Sequence, residues 1–151
     1  MDKKIILLAT LILFSISFGY CQDRTIKGKI LFQGLDPYPG VLITSNDSTI
    51  LDTTDFNGNF SFEKTNYISS IKFQSVMAQE ENIKIIDSCD FYNIILLNEW
   101  TYDYTSMRRA KRKLARERKK LLPNLYVKAY EDKKFDSSNC NYQEYKSFKR
   151  G

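Results

Sequence analysis

Between Thr25 and Leu97 apolar and polar residues alternate or gather in short apolar runs, turn residues punctuate those runs, and after Trp100 the chain becomes basic and helix-forming. These three observations predict a mainly β fold: a seven-stranded sandwich of two antiparallel sheets carrying a basic α-helical C-terminal extension. At 151 residues, 42% of them hydrophobic, the chain can build one such core and an appendage but no second full domain.

The chain opens on Met1-Asp2-Lys3-Lys4, runs apolar from Ile5 to Phe18 and reaches Gly19-Tyr20-Cys21-Gln22. A charged start, an apolar middle and small residues before a cleavage point are the plan of a secretory signal peptide, here residues 1–21. The apolar run is 14 residues, short of the roughly 20 that cross a bilayer as a helix. Cleavage after Cys21 puts Gly19 and Cys21 where signal peptidases want small side chains. The rival reading keeps Cys21 as an acylated lipoprotein cysteine, against which stands the bulk of Tyr20. Export makes disulfides durable. Cys89 and Cys140 can then form a bridge tying the tail to the last strand, or Cys89 can be a small buried hydrophobe beside that strand; both readings stay open.

Strands are expected near residues 25–33, 40–46, 49–54, 59–63, 68–76, 80–86 and 91–97. The period of two is clearest where Phe60 and Phe62 point to one face, and where Ile71, Phe73 and Ser75 oppose Lys72 and Gln74. Pro37 and Pro39 lack the amide a ladder needs, so Asp36–Gly40 must connect strands. Asp55-Phe56-Asn57-Gly58-Asn59 reads as a tight hairpin, with Gly58 free to take positive φ and Asp55 bonding its own backbone. Beyond residue 100, Ser106 can cap a helix running to about Leu122; Pro123 stops it or forces a second short helix to about Asp132. Residues 136–139 read as a loop before a frayed end.

Charge divides the chain. Residues 22–100 hold six Lys plus Arg against eleven Asp plus Glu, a net of −5, whereas residues 101–151 hold fifteen against six, a net of +9. Arg108, Arg109, Lys111, Arg112, Lys113, Arg116, Arg118, Lys119 and Lys120 crowd against Glu117 alone between residues 107 and 120. Like charges this dense destabilise an isolated helix by a few tenths of a kcal/mol per close pair. In one reading the helix is a solvated element packed through Met107, Ala110, Leu114 and Leu121. In the other, Arg108, Arg109, Arg112, Arg116 and Lys120 meet an anionic membrane surface or an acidic protein. Nucleic acid is the weaker partner, since no base-reading motif accompanies the charge. Tyr102, Tyr104, Tyr126, Tyr130, Tyr142 and Tyr145 frame this helix and can pack it onto the sandwich or suit a membrane interface.

Ile26-Lys27-Gly28-Lys29-Ile30, then Pro37-Tyr38-Pro39-Gly40-Val41-Leu42-Ile43, then Thr54-Asp55-Phe56-Asn57-Gly58-Asn59-Phe60-Ser61-Phe62 occur in this order. Together they resemble the carboxypeptidase regulatory-like domain over about residues 24–97. The loop before the proline turn lacks that family's common acidic start, and the strand around Phe73 lacks its frequent Tyr-x-Gly ending. The resemblance implies a transthyretin/Ig-like sandwich of the kind found in exported envelope proteins and at the N-terminus of TonB-dependent receptors, hence the periplasm or the outer-membrane surface. It carries no catalytic residues.

The residues themselves point away from catalysis. Histidine is absent, which removes the commonest general base and the commonest zinc ligand. Asp52 and Asp55 sit around a hairpin rather than across a cleft. Asp55, Asn57 and Asn59 look like the start of a calcium loop but lack its later acidic ligand. Neither a Walker nor a dinucleotide-binding glycine motif occurs. No cofactor, metal or small-molecule substrate is expected. A non-enzymatic exported adaptor, or a purely structural module whose tail packs on its own acidic sandwich, are the two functions the sequence supports.

Overall fold

A computed structural model of the chain describes residues 24–99, 106–136 and 140–141; the expected leader lies outside them. All seven expected strands are present: β1 (Arg24–Phe32), β2 (Leu42–Ser45), β3 (Ile50–Thr53), β4 (Asn59–Lys64), β5 (Ser70–Gln74), β6 (Glu81–Lys84) and β7 (Phe91–Leu96). They are followed by α1 (Met107–Glu131) and a two-residue strand, β8 (Cys140–Asn141). The sheets run β4-β1-β7-β8 and β3-β2-β5-β6.

Two features differ from the antiparallel seven-stranded expectation. First, β1 and β7 pair in parallel, Lys27 opposite Phe91 through Phe32 opposite Leu96. Each of the six connections reverses the chain, so the seventh strand points the way the first does, and two neighbours with one direction must pair in parallel. Second, β8 adds an eighth strand just past the expected loop, where a frayed end was expected, pairing in parallel with Tyr92 and Asn93. The outer edge of β7 would otherwise present unpaired amides and carbonyls.

Strand alternation sends Ile26, Gly28 and Ile30 of β1, Phe60 and Phe62 of β4, and Tyr92, Ile94 and Leu96 of β7 toward Ile43, Ile71, Phe73 and Ile83 of the second sheet. Gly28 makes room for a ring: a Cβ there would meet Phe60 Cζ at 2.3 Å and the Tyr92 carbonyl oxygen at 2.6 Å. Tyr92 is fully buried, its hydroxyl accepts the Ile86 amide at 2.9 Å, and burial pushes its phenol above the usual pKa. The hairpin expected at Asp55–Asn59 is instead a turn that carries the chain from one sheet to the other, since β3 pairs with β2 and β4 with β1, and in it Gly58 takes φ +74. The Asp55 carboxylate accepts the Asn57 and Asn59 amides, each at 2.8 Å.

A second core forms on the other face of the first sheet. Leu31, Leu35, Ile95 and Leu97 meet Leu122, Tyr126, Ala129 and Phe135. The tail's stem is therefore integral to the fold. The Tyr126 hydroxyl accepts the Ile95 amide at 3.1 Å and donates to the Asn93 carbonyl at 2.9 Å. Asp90 directs its carbonyl at β1, where it accepts the Lys27 amide. By alternation the Asn93 carbonyl and Ile95 amide face the opposite edge, so one phenol closes the stretch of edge that β8 leaves open.

The helix runs unbroken through Pro123, against the expected stop. An interior proline removes the bond to the carbonyl four residues back and costs about 3 kcal/mol. Lys119 and Pro123 are both exposed, so the carbonyl freed at Lys119 meets water, while Leu122, Tyr126 and Ala129 hold the continuation against the sheet. Ser106 occupies the N-cap position as expected, but its side chain makes no capping bond; its carbonyl accepts the Arg109 and Ala110 amides.

Tyr126→Phe is expected to lose about 1–3 kcal/mol of unfolding free energy, read by urea denaturation, because a buried amide and carbonyl lose their shared partner. The exposed Val127→Ala should stay within about 0.5 kcal/mol of wild type. The Asn59 amide, then its side chain and the Asn57 amide, hold the Asp55 carboxyl below the usual carboxylate range. A lowered folded pKa contributes stability that is present above the unfolded value and lost as pH falls through the folded one. The gap between wild type and Asp55→Asn should accordingly be constant above about pH 5 and close below about pH 4, seen in denaturation midpoints across a pH series.

Candidate functional site

Helical geometry sorts the basic residues into two classes. Arg118, Leu122, Tyr126 and Ala129 or Tyr130 recur at three- or four-residue spacing and form the ridge that meets the sandwich. Arg108, Arg112, Arg116 and Lys120 recur every four residues on another ridge. Arg116 and Lys120 each lie two residues, about 200° around an α-helix, from Arg118 and so face away from the docking ridge, whereas Arg108 and Arg112 come about five full turns before Tyr126 and Tyr130 and share its face. Arg108, Arg109, Arg112, Arg116 and Lys120 are all exposed.

Arg118 behaves differently from the residues singled out in the sequence. It is 27% exposed and pairs with Glu81, at 17%, on the second sheet. Burial pulls its pKa down, opposed by Tyr126, without neutralising a guanidinium. The expected packing stripe also shifts. Met107 is 73% exposed, and Ala110, Leu114 and Leu121 are half-buried, while Leu122 is the leucine that anchors the helix. Leu122, Tyr126 and Ala129 share a face; Leu121 sits 100° away from it.

The helix also outruns its support. Twenty-five residues span about 38 Å, and the six of β7 about 20 Å. From Tyr126, beside Asn93 and Ile95, to Tyr130, whose hydroxyl accepts from the Asn93 side chain, the helix descends toward the start of β7. Its N-terminal half therefore runs off the opposite end, where Arg118 meets Glu81 at the beginning of β6. Phe56 in the turn between β3 and β4 and Val76 and Met77 in the β5–β6 turn stand at this end, 92%, 95% and 61% exposed. The Met77 carbonyl accepts the Glu99 amide just past β7, and Tyr38 links to Ser75.

Cys89 is disulfide-bonded and buried in the sandwich core. Its expected pairing with Cys140 lies outside the described side chains; the Cys140 backbone enters the sheet opposite Tyr92. Asp55, read as a turn residue with a calcium loop as rival, accepts amides from its own turn, including Asn59 Nδ2 at 3.3 Å. Of the framing tyrosines, Tyr126 and Tyr130 pack on the sandwich; Tyr102, Tyr104, Tyr142 and Tyr145 lie outside the described residues. Among the described residues no helix is long and apolar enough to cross a membrane.

Two features escaped sequence reasoning. The exposed loop-tip residues Phe56, Val76 and Met77 carry no periodic signal. Asn93 does carry one: a polar residue that interrupts the apolar run Phe91–Leu97 and is completely buried. No protein-family model matches the chain, and no curated protein matches it significantly.

Arg118→Ala is expected to destabilise by about 1–2 kcal/mol, since it leaves the half-buried Glu81 without its partner. The fivefold substitution of Arg108, Arg109, Arg112, Arg116 and Lys120 by Ala should leave the unfolding midpoint unchanged or raised, because it relieves like-charge repulsion. Chemical denaturation of both variants separates the structural arginine from the exposed ones.

Proposed function

We propose that this protein is a non-enzymatic exported envelope module, a transthyretin/Ig-like sandwich of the carboxypeptidase regulatory-like type that presents a basic helix to an anionic membrane surface. The observation that carries the reading is the ridge of Arg108, Arg112, Arg116 and Lys120, every member of which is exposed. Arg109 extends it. A tail serving only to neutralise its own acidic sandwich would turn its cations inward. Arg118 does so toward Glu81, and these five do not.

The three-strand and four-strand sheets, before β8 is added, and the ordered motifs between Ile26 and Phe62 support the sandwich type. The apolar run of residues 5–18 supports export. Phe56, Val76 and Met77 favour a lipid surface over an acidic protein. They stand at the end off which the helix runs, so a bilayer within reach of Arg108 and Arg109 can also receive apolar side chains.

Co-sedimentation of the chain lacking residues 1–21 with phosphatidylglycerol-containing vesicles tests this. Each basic residue near an anionic surface contributes about 1 kcal/mol, so the fivefold Ala variant should bind at least about a hundredfold more weakly. Raising salt should weaken the wild type, and Phe56→Ser with Val76→Ser should weaken it without removing its salt dependence. Equal binding to neutral phosphatidylcholine vesicles, or an affinity indifferent to salt, sinks the proposal.

A further inference from the structure

At the other end of the helix, away from the basic ridge, a cleft of about 540 Å³ opens over the outer face of the first sheet. Its floor is set by register. Lys29 and Asn93 are cross-strand partners on β1 and β7, and Phe91 lies two residues before Asn93 on the same face. Its rim is the segment that leaves α1, where Lys133, Lys134 and Phe135 line the opening. Lys133 takes φ +54, a left-handed conformation that glycine usually fills at a helix end. The Lys134 amide reaches back to the Ala129 carbonyl at 2.8 Å.

The Asn93 side chain is held in one orientation. Its Nδ2 donates to the Asp136 carbonyl and to the Tyr130 hydroxyl, each at 3.2 Å. A backbone carbonyl can only accept, which fixes the amide nitrogen on that side. The Asn93 Oδ1 is buried and has no hydrogen-bond partner among the described residues. Native proteins rarely leave such an acceptor unsatisfied, and the exceptions cluster where a ligand or bound water completes the site. Lys133 and Lys134 complement the negative end of the helix dipole, and Lys29 comes from β1, where its charge also helps lower the Asp55 pKa. Asp136 supplies the cleft's opposing charge.

We propose that this cleft binds a small organic anion carrying an N–H or O–H donor. Its carboxylate is held among Lys29, Lys133 and Lys134, its donor answers Asn93 Oδ1, and its apolar portion lies between Phe91 and Phe135. The site is independent of the membrane-facing ridge, so either proposal can fail alone.

The test uses the full chain and three probes, followed by NMR of the Asn93 side-chain amide. N-acetylphenylalanine offers the anion, the donor and the ring; 3-phenylpropionate lacks the donor; inorganic sulfate offers charge alone. N-acetylphenylalanine should shift the Asn93 resonance saturably, and 3-phenylpropionate should bind at least about tenfold more weakly, as expected when a buried acceptor is left unpaired. Lys29→Ala should weaken binding by a similar factor. Lys133→Gly should also weaken it while holding or raising the melting temperature, since glycine accepts the left-handed backbone; that combination separates a binding role from a folding one. Equal affinity for the two aromatic probes, the same shift with sulfate alone, or no saturable shift up to about 10 mM, a generous ceiling for a ligand of this size, overturns the proposal.

Discussion

Burial of β7 on both faces is the constraint on which the rest of the structure depends. Tyr92, Ile94 and Leu96 fill the space between the sheets, while Ile95 and Leu97 require cover on the outside. A strand buried on both faces reads as a continuous apolar run, and Phe91–Leu97 is one, apart from Asn93. That outer face cannot be left to water: exposing Ile95 and Leu97 with Leu31 would cost about 1.5–3 kcal/mol for each side chain. The stem of α1 answers this demand, and Tyr126 answers the demand of the strand edge at the same place. Packing and edge protection thus converge on one turn of helix.

Once the stem is fixed, the position of the charge follows without further interactions. A residue two positions from Arg118 must point to the far side of a continuous helix. Proline at 123 does not alter this, because the break in the bond ladder falls on the solvated side. The like-charge repulsion along Arg108, Arg112, Arg116 and Lys120, a few tenths of a kcal/mol per pair, is smaller than the stabilisation from burying Leu122, Tyr126 and Ala129. Docking therefore wins at a modest internal cost: Arg116 and Lys120 are held on the far side, and Arg108 and Arg112 stay exposed on the half of the helix that has run past the sheet. The net of −5 on residues 22–100 and +9 on residues 101–151 is in this sense a separation that the helix maintains.

How much of this was legible depends on whether a feature is local. The strands were, because Phe60 with Phe62 and Ile71 with Phe73 announce their faces two residues apart. The helix and its basic cluster were legible too. What failed was whatever depends on a distant partner. Pro123 as a stop follows from the local rule, and only the sheet beneath Tyr126 reverses it. Leu121 and Leu122 are indistinguishable in composition, and the one that is buried is decided by which face meets Leu31 and Ile95. The parallel pairing of β1 with β7 is invisible in either strand and emerges from the parity of the connections. Arg118 was counted with its neighbours because Glu81 is remote in sequence. The resemblance to the carboxypeptidase regulatory-like domain rests on turn and strand motifs and was silent on all of these.

Asn93 shows where the logic of the fold stops being sufficient. An apolar residue at this position would continue the run through β7, and replacing a buried, incompletely bonded amide with a well-packed hydrophobe is commonly neutral or stabilising. The fold does draw something from the asparagine: its Nδ2 ties Tyr130 and the Asp136 carbonyl to the sheet and fixes the chain as it leaves α1. Those bonds use one end of the amide. The other end is buried without a partner among the described residues, a cost of about 1–3 kcal/mol that docking does not require, since Leu122, Tyr126 and Ala129 seat the helix without it. The same short stretch holds Lys133 in a conformation that an L side chain adopts at a cost. Leu35 and Ser48 take the left-handed backbone elsewhere in the sandwich, but at Lys133 that departure meets a second one, the buried Asn93 acceptor, and the two line one cleft.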